Sequence, residues 1–267
     1  MIRNIKLFIN NNEKSLEVAR LAEEKFKLSG FNISNDNFDL GVAIGGDGSF
    51  LRMVKNTEFD SNPYYVGINT GTLGFMQEVR PDEIDTLINE IIYEKYKVDD
   101  IGIQETEIKY DGLSKQFYNL NEIVIRDNNF KLVKASVKID DDLLENYTGD
   151  GILIATSCGS TAQNLSYGGS IVYPSFSTLQ ITPFGPVNSK SYSALPNSVI
   201  VPSYKKIKVE PKNKDEDYIV SVDGKNNVFN NVEEITTSIQ NKKIRMLRFS
   251  HYNFPQKINE KFLSNQI

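Results

Sequence analysis

Four stretches of the 267-residue sequence combine backbone freedom with side chains able to handle a phosphorylated ligand. In Gly45-Gly46-Asp47-Gly48 the glycines let the chain turn tightly and approach a ligand closely. A helix starting there aims free N–H groups into the turn, and its field favours an anion by roughly 0.3–1 kcal/mol. A carboxylate in the middle of such a cradle repels phosphate, so Asp47 fits it only by contacting a hydroxyl or a metal beside the phosphate. As a bare tetrapeptide the segment equally fits a strand–helix turn with an ordinary acidic cap. A second glycine-rich turn, Asn69-Thr70-Gly71-Thr72-Leu73-Gly74-Phe75, ends in an aromatic that could stack on a base or simply join the core.

The third stretch, Asn121-Glu122, lies in the apolar run Phe117 to Ile125. Strand alternation turns one of the two inward, where an amide can read a base edge or a carboxylate can accept ribose hydroxyls. An edge strand with both side chains wet is the alternative. The fourth runs from Thr148-Gly149-Asp150-Gly151 through Thr156-Ser157-Cys158-Gly159-Ser160-Thr161-Ala162-Gln163-Asn164-Leu165-Ser166 to Gly168-Gly169. Its small hydroxyl residues and glycines precede about one helical turn and suit a sugar or amide headgroup. Cys158 has no basic neighbour in sequence and the chain has one His, His251, so a cysteine nucleophile is not expected. Asp223-Gly224 reads as a hairpin turn.

The first hundred residues alternate strand and helix signals. Ile5, Leu7 and Ile9 alternate as a strand, and Asn12 can cap a helix with Leu16, Ala19, Ala22 and Phe26 inward and Gly30 just past its end. Leu40 to Ile44 is an apolar strand feeding the first glycine turn, and Phe50, Leu51, Met53 and Val54 suggest the helix after it. Tyr64 to Ile68 feeds the second turn. Pro81 opens a helix carrying Ile84, Leu87, Ile88 and Ile91. Such units build a parallel sheet, which puts both glycine turns at its carboxyl edge, where open α/β sheets bind ligands. From about residue 100 short strands follow one another: Ile101 to Tyr110, Phe117 to Arg126, Leu132 to Ile139, Gly151 to Thr156, Val199 to Val201, Ile207 to Val209, Tyr218 to Val222 and Ile244 to Phe249. That spacing suggests an antiparallel sandwich. The expected division is an α/β Rossmann-like domain over 1–98, an all-β sandwich over 99–255, and a short terminal helix over 256–267.

Composition removes several classes. Lys and Arg total 30 against 35 Asp and Glu, a net charge of −5 without a basic block, so neither nucleic acid nor an anionic membrane is an expected partner. One Cys and one His cannot make a disulfide or the usual zinc ligand set, and no metal-ligating residues are assigned. Apolar runs of about 18 residues and an N-terminal secretory h-region are both missing, so a cytoplasmic protein is expected.

In order and spacing, GGDGSFLR (45–52), INTGTLGF (68–75), NE (121–122), GDG (149–151), GSTA (159–162), LSYGGSIVYPS (165–175), LQITP (179–183) and SVDG (221–224) resemble the NAD kinase family, in its small bacterial form, over nearly the whole chain. GGDG alone is shared with diacylglycerol-type lipid kinases, but a lipid kinase calls for a basic or amphipathic membrane face. A dinucleotide-binding regulator with weakened turnover is a further alternative, against which the retained Asp47 stands. The resemblance implies a ligand site between the two domains, ATP as phosphoryl donor, a divalent cation such as Mg²⁺, NAD as acceptor, a homotetramer or dimer, and a C-terminal helix that returns to the first domain. By position it implies Asp47 as proton acceptor for the adenosine ribose 2′-hydroxyl. Gly45, Gly46 and Gly48 would cradle phosphates, with Arg52 closing that nucleotide-binding motif, and Phe75 would flank adenine. Asn121 and Glu122 would hold the adenine and ribose end. Asp150 with Thr161, Ala162, Gln163, Asn164, Leu165 and Ser166 would hold the nicotinamide side, partly across a subunit interface. Three departures fall on that side: Ser157 replaces a common Pro, Gln163 a Tyr, and Thr148 a basic residue. Losing the aromatic face removes roughly 0.5–1.5 kcal/mol of stacking, and weaker NAD binding or a shifted NAD–NADH preference is expected.

Overall fold

Leu40, Val42, Ala43 and Ile44 have no exposed surface, the mark of a central parallel strand covered on both faces. The computed structural model describes residues 2–72, 74–213 and 216–264. Leu73 of the second glycine turn and residues 265–267 of the expected terminal helix lie outside them. The chain forms two compact units, one from Met1–Ile101 with Lys243–Ile267 and one from Gly102–Lys242.

The first unit contains β1 (Asn4–Ile9), α1 (Glu13–Leu28), β2 (Asn32–Ile33), β3 (Leu40–Gly45), α2 (Asp47–Asn56), β4 (Tyr64–Asn69) and α3 (Ile84–Ile92). Its strands run β2-β1-β3-β4, all parallel, and the residues around Arg245 and Met246 extend the sheet beside β4. Asn12 caps α1, its side chain accepting the Ser15 N–H at 2.8 Å. Gly30 ends that helix with φ +87°, a conformation glycine adopts freely. The inward stripe of α1 is Ser15, Val18, Ala19, Ala22 and Phe26, so Ala19, Ala22 and Phe26 lie inside as expected, whereas Leu16 is 42% exposed because the first turn faces inward with Ser15 and leaves Leu16 on the flank. A 3-10 turn begins at Pro81, and Ile84, Leu87, Ile88 and Ile91 of α3 all reach the core as their spacing predicts.

Two strands belong to both units, β5 (Lys97–Tyr110) and β16 (Val232–Arg248). Between them lie β6 (Leu113–Asn119), β7 (Glu122–Asp127), β8 (Val133–Ile139), β9 (Asp142–Gly149), β10 (Gly151–Thr156), the short helix α4 (Gln163–Ser166), β11 (Thr178–Phe184), β12 (Val199–Pro202), β13 (Ile207–Pro211), β14 (Tyr218–Val222) and β15 (Lys225–Phe229). In the second unit β12-β11-β10-β7-β14-β15 form one antiparallel sheet, and the N-terminal part of β16 continues through β13, β8 and β9 in the other. Ile123, Ile125, Ile152 and Ile154 of the first sheet meet Val133, Val137, Ile207 and Val209 of the second in one core. The predicted strand over Phe117 to Arg126 is two strands, β6 and β7, broken at Leu120-Asn121. Strands β2, β9, β11 and β15 and the first part of β16 are additions to the expected set. The chain closes with α5 (Phe254–Phe262), opened by Asn253, which caps it, and by Pro255.

Candidate functional site

In the first unit, the turn between β3 and α2 is built for backbone contact. A Cβ on Gly45 would overlap Ser49, whereas one on Gly46 would meet nothing within 4 Å, so open space lies in front of that peptide. Gly46 is the N-cap of α2 and no side chain caps the helix. Its first amides are therefore left for a ligand. Asp47 does not fill that role. Its side chain turns to the second glycine-rich turn, where Oδ2 accepts the Phe75 N–H and Oδ1 the Met76 N–H, both at 3.0 Å. A Cβ on Gly74 would overlap this carboxylate, which explains the glycine. Gln77 Nε2 donates to the Gly46 carbonyl at 2.7 Å and ties the two turns together. Arg52 reaches Asn10 Oδ1 at 2.8 Å and Ser49 Oγ at 2.9 Å. Phe75 is half-buried, its ring 6.0 Å from that of Phe254 and 5.6 Å from that of Phe262 on α5.

In the second unit, Asn121 and Glu122 are both buried, since β7 is central, between β10 and β14. Asp223 explains the break before β7. Its carboxylate accepts N–H groups from Leu120 at 3.0 Å, Asn121 at 2.9 Å and Glu122 at 3.3 Å. It does so from a tight hairpin in which Asp223 and Gly224 both have positive φ, 45° and 78°, and Val222 pairs Lys225. Glu122 is pushed up to about 8, chiefly by burial, then by the neighbouring charge of Asp223, with only the Gln163 N–H opposing. Burial raises Asp223 as well, but its three backbone donors favour the anion. Glu122 is thus the member that keeps a proton. Its Oε2 and the Asn121 Oδ1 are buried acceptors without a partner.

The turn after β10 packs on these residues. Thr156 donates its N–H to the Asn121 carbonyl at 2.8 Å, and a Cβ on Gly159 would overlap that same peptide. Thr161, Ala162, Gln163 and Leu165 are half-buried and Ser166 is exposed. Asn164 is fully buried: its Oδ1 accepts from Thr182 at 2.6 Å and its Nδ2 donates to the Ser160 carbonyl at 3.2 Å, holding α4 against the sheet. Gln163 Nε2 donates to the Tyr167 hydroxyl at 3.2 Å, and the Tyr167 ring stacks on Phe184 at 4.4 Å, with the Arg126 guanidinium over Phe184. Asp150 is exposed at the start of β10, whereas Asn121 meets the end of that strand, about 17 Å away at the usual rise.

The first unit therefore gathers Gly45, Gly46, Asp47, Gly48, Arg52 and Phe75, and the second gathers Asn121 and Glu122 with the 161–166 segment. Sequence reasoning left Asp223 as a plain turn and gave no role to Gln77, Arg248 or Lys257. Asp-Gly after a strand is a signal for the hairpin but not for the three amides its carboxylate collects. Cys158 sits in a 3-10 turn, and His251 is exposed with its ring stacked on Phe249 at 5.0 Å. Among the described residues no group of three or more His, Cys, Asp or Glu is arranged to hold a metal, and no helix is long and apolar enough to cross a membrane.

Residues 8–96 match the model of the ATP-NAD kinase N-terminal domain, and residues 120–246 that of the ATP-NAD kinase C-terminal domain. An NAD kinase of Finegoldia magna is 38% identical, with 97% of each chain covered. One of Streptococcus gordonii is 32% identical, with 98% of this chain and 96% of the relative covered. Among solved structures, yeast NADH kinase complexed with NADH superposes with TM-score 0.85 at 22% identity, over 100% of this chain and 89% of that one. An NAD kinase from Archaeoglobus fulgidus in complex with ATP gives 0.74 at 21%, over 97% and 98%. These two likenesses speak to the fold.

Proposed function

The chain belongs to the ATP-NAD kinase family, and we propose that it transfers the γ-phosphoryl group of ATP to the adenosine ribose 2′-hydroxyl of NAD. The new bond joins the ribose oxygen to the γ-phosphorus, the bond from the γ-phosphorus to the β,γ-bridging oxygen breaks, and NADP and ADP leave. The hydroxyl proton passes to Asp47. The observation that carries this reading is the Asp47 carboxylate, fixed by two backbone donors beside an uncapped, glycine-lined helix start. Each oxygen accepts one N–H and retains capacity for a hydroxyl. Phosphoryl transfer of this kind depends mainly on positioning and charge neutralisation, with about 10²–10⁴-fold from a general base.

The amides at Gly46 to Gly48 hold phosphate oxygens, Arg52 supports that turn, and Phe75 offers a partly exposed ring to adenine. Asn121 and Glu122 serve the adenine and ribose end through their unpartnered oxygens, Glu122 as a hydroxyl donor in its protonated form. Asp150 and the 161–166 segment serve the nicotinamide end. The span of β10 separates Asp150 from Asn121, which fits a homo-oligomer, dimer or tetramer, in which a neighbouring copy completes the site. A divalent cation such as Mg²⁺ enters with the triphosphate as part of the substrate. A cytoplasmic enzyme is the reading proposed with this activity. Purified protein with ATP, Mg²⁺ and NAD, coupled to an NADP-specific dehydrogenase, tests the reading. Time-dependent NADP supports it, and saturable NAD binding without NADP overturns it.

A further inference from the structure

The first unit buries an ion network that phosphoryl transfer itself does not use. Arg248 contacts Glu78 Oε2 and Asp99 Oδ2, both at 3.0 Å, and Lys257 of α5 contacts Glu78 Oε2 at 3.3 Å. Buried ion pairs seldom add net stability, because desolvation offsets their attraction. Their value here lies in where the remaining donors point. Arg248 Nη1 donates to the Phe75 carbonyl at 3.1 Å, and Lys257 Nζ donates to the Gln77 carbonyl at 2.8 Å. The opposite side of the same four-residue segment faces the phosphate turn: Phe75 and Met76 give their N–H groups to Asp47, and the Gln77 side chain binds the Gly46 carbonyl. Cations thus grip the carbonyls of a segment whose amides aim one carboxylate.

The packing of α5 makes this grip specific. Phe254 and Lys257, three residues apart on one face, are its buried positions, and the Phe254 ring lies against Phe75. Lys257 is pushed down to about 8 by burial and by Arg248, while the charges of Glu78 and Asp47 pull it back up. The ring of Tyr252 lies 5.5 Å from its ammonium.

We propose that Lys257 and Arg248 are positioning residues for Asp47, holding the 75–78 segment so that its backbone donors fix the carboxylate in reach of the acceptor hydroxyl. This rests on Asp47 being the base. Displacement of a catalytic group by about 1 Å can cost on the order of 10²-fold in rate. Lys257→Met keeps the length of the side chain and removes the donor and charge. In the full-length enzyme it is expected to lower kcat by about 10- to 100-fold, with KM for ATP and NAD within about twofold. In an Asp47→Asn background the same change should lower kcat no further, since the group it positions is already disabled. Equal losses in both backgrounds, a loss confined to KM, or unchanged kcat overturn the proposal. If Lys257→Met does not fold, Lys257→Gln carries the test: it keeps an N–H for the Gln77 carbonyl and should retain kcat within about fivefold of wild type, and a loss of about 10²-fold there overturns it. If Asp47→Asn alone keeps full turnover, the base assignment fails instead.

Discussion

Replacing Glu122 by Gln should make the ligand-free protein more stable at alkaline pH and leave it no more stable at acidic pH. In the folded chain this carboxyl holds its proton up to about 8, against an ordinary value of 4.5. Between those values the native state binds a proton that the unfolded chain has released, so unfolding free energy falls as pH rises. The stabilising contribution is complete below 4.5 and is lost through about 8. The full difference corresponds to roughly 4–5 kcal/mol. Gln removes that cost, keeps an oxygen for the Gln163 N–H, and brings an amide group to the place where Oε2 has no partner. An unpartnered buried amide costs about 1–3 kcal/mol. The net gain near pH 9 is therefore about 2 kcal/mol, or about 4–8 °C in Tm for a chain of this size. Thermal melts of wild type and variant near pH 5 and pH 9 read it directly. A difference that is the same at both pH values, or a variant less stable at the higher one, would refute a protonated Glu122.

Two other substitutions probe the site. Asp47→Asn offers one acceptor and one amide to two backbone donors, so it should lose about 1–3 kcal/mol of stability and lower kcat by about 10²–10⁴-fold; coupled NADP formation and a melting curve check both, and wild-type turnover would remove Asp47 from the mechanism. Gly159→Ala drives a Cβ into the Asn121 peptide, which cannot yield as a side chain can; a stability loss of about 1–3 kcal/mol with weaker NAD binding by calorimetry is expected, and an unchanged Kd would contradict the packing.

Much of this was legible because local chemistry and tertiary structure agree. The Asn12 cap, Gly30 stop, Pro81 start and the Ile84–Ile91 stripe carry their structural meaning in a few adjacent residues. The apolar run at Leu40 to Ile44 and the glycines after it placed the turn that bears Asp47. Strand β15, Lys-Asn-Asn-Val-Phe, lies at a sheet edge and keeps few apolar residues, so its sequence has little alternation to read. The break at Leu120-Asn121 depends on Asp223, a hundred residues away, and the grip on the 75–78 segment depends on Arg248 and Lys257. No local pattern announces a carboxylate that collects distant amides or a lysine buried by its neighbours. Leu16 shows the converse: the helical period and its phase are right at Ala19, Ala22 and Phe26, but in the first turn the small polar Ser15, not the leucine, faces inward.

The most direct test is a structure of the enzyme with NAD bound. An Asp47 carboxylate oxygen is expected within hydrogen-bond reach of the adenosine ribose 2′-oxygen, about 2.6–3.2 Å. A carboxylate still held by the Phe75 and Met76 amides but more than about 5 Å from that oxygen, with no water between them, would contradict the account.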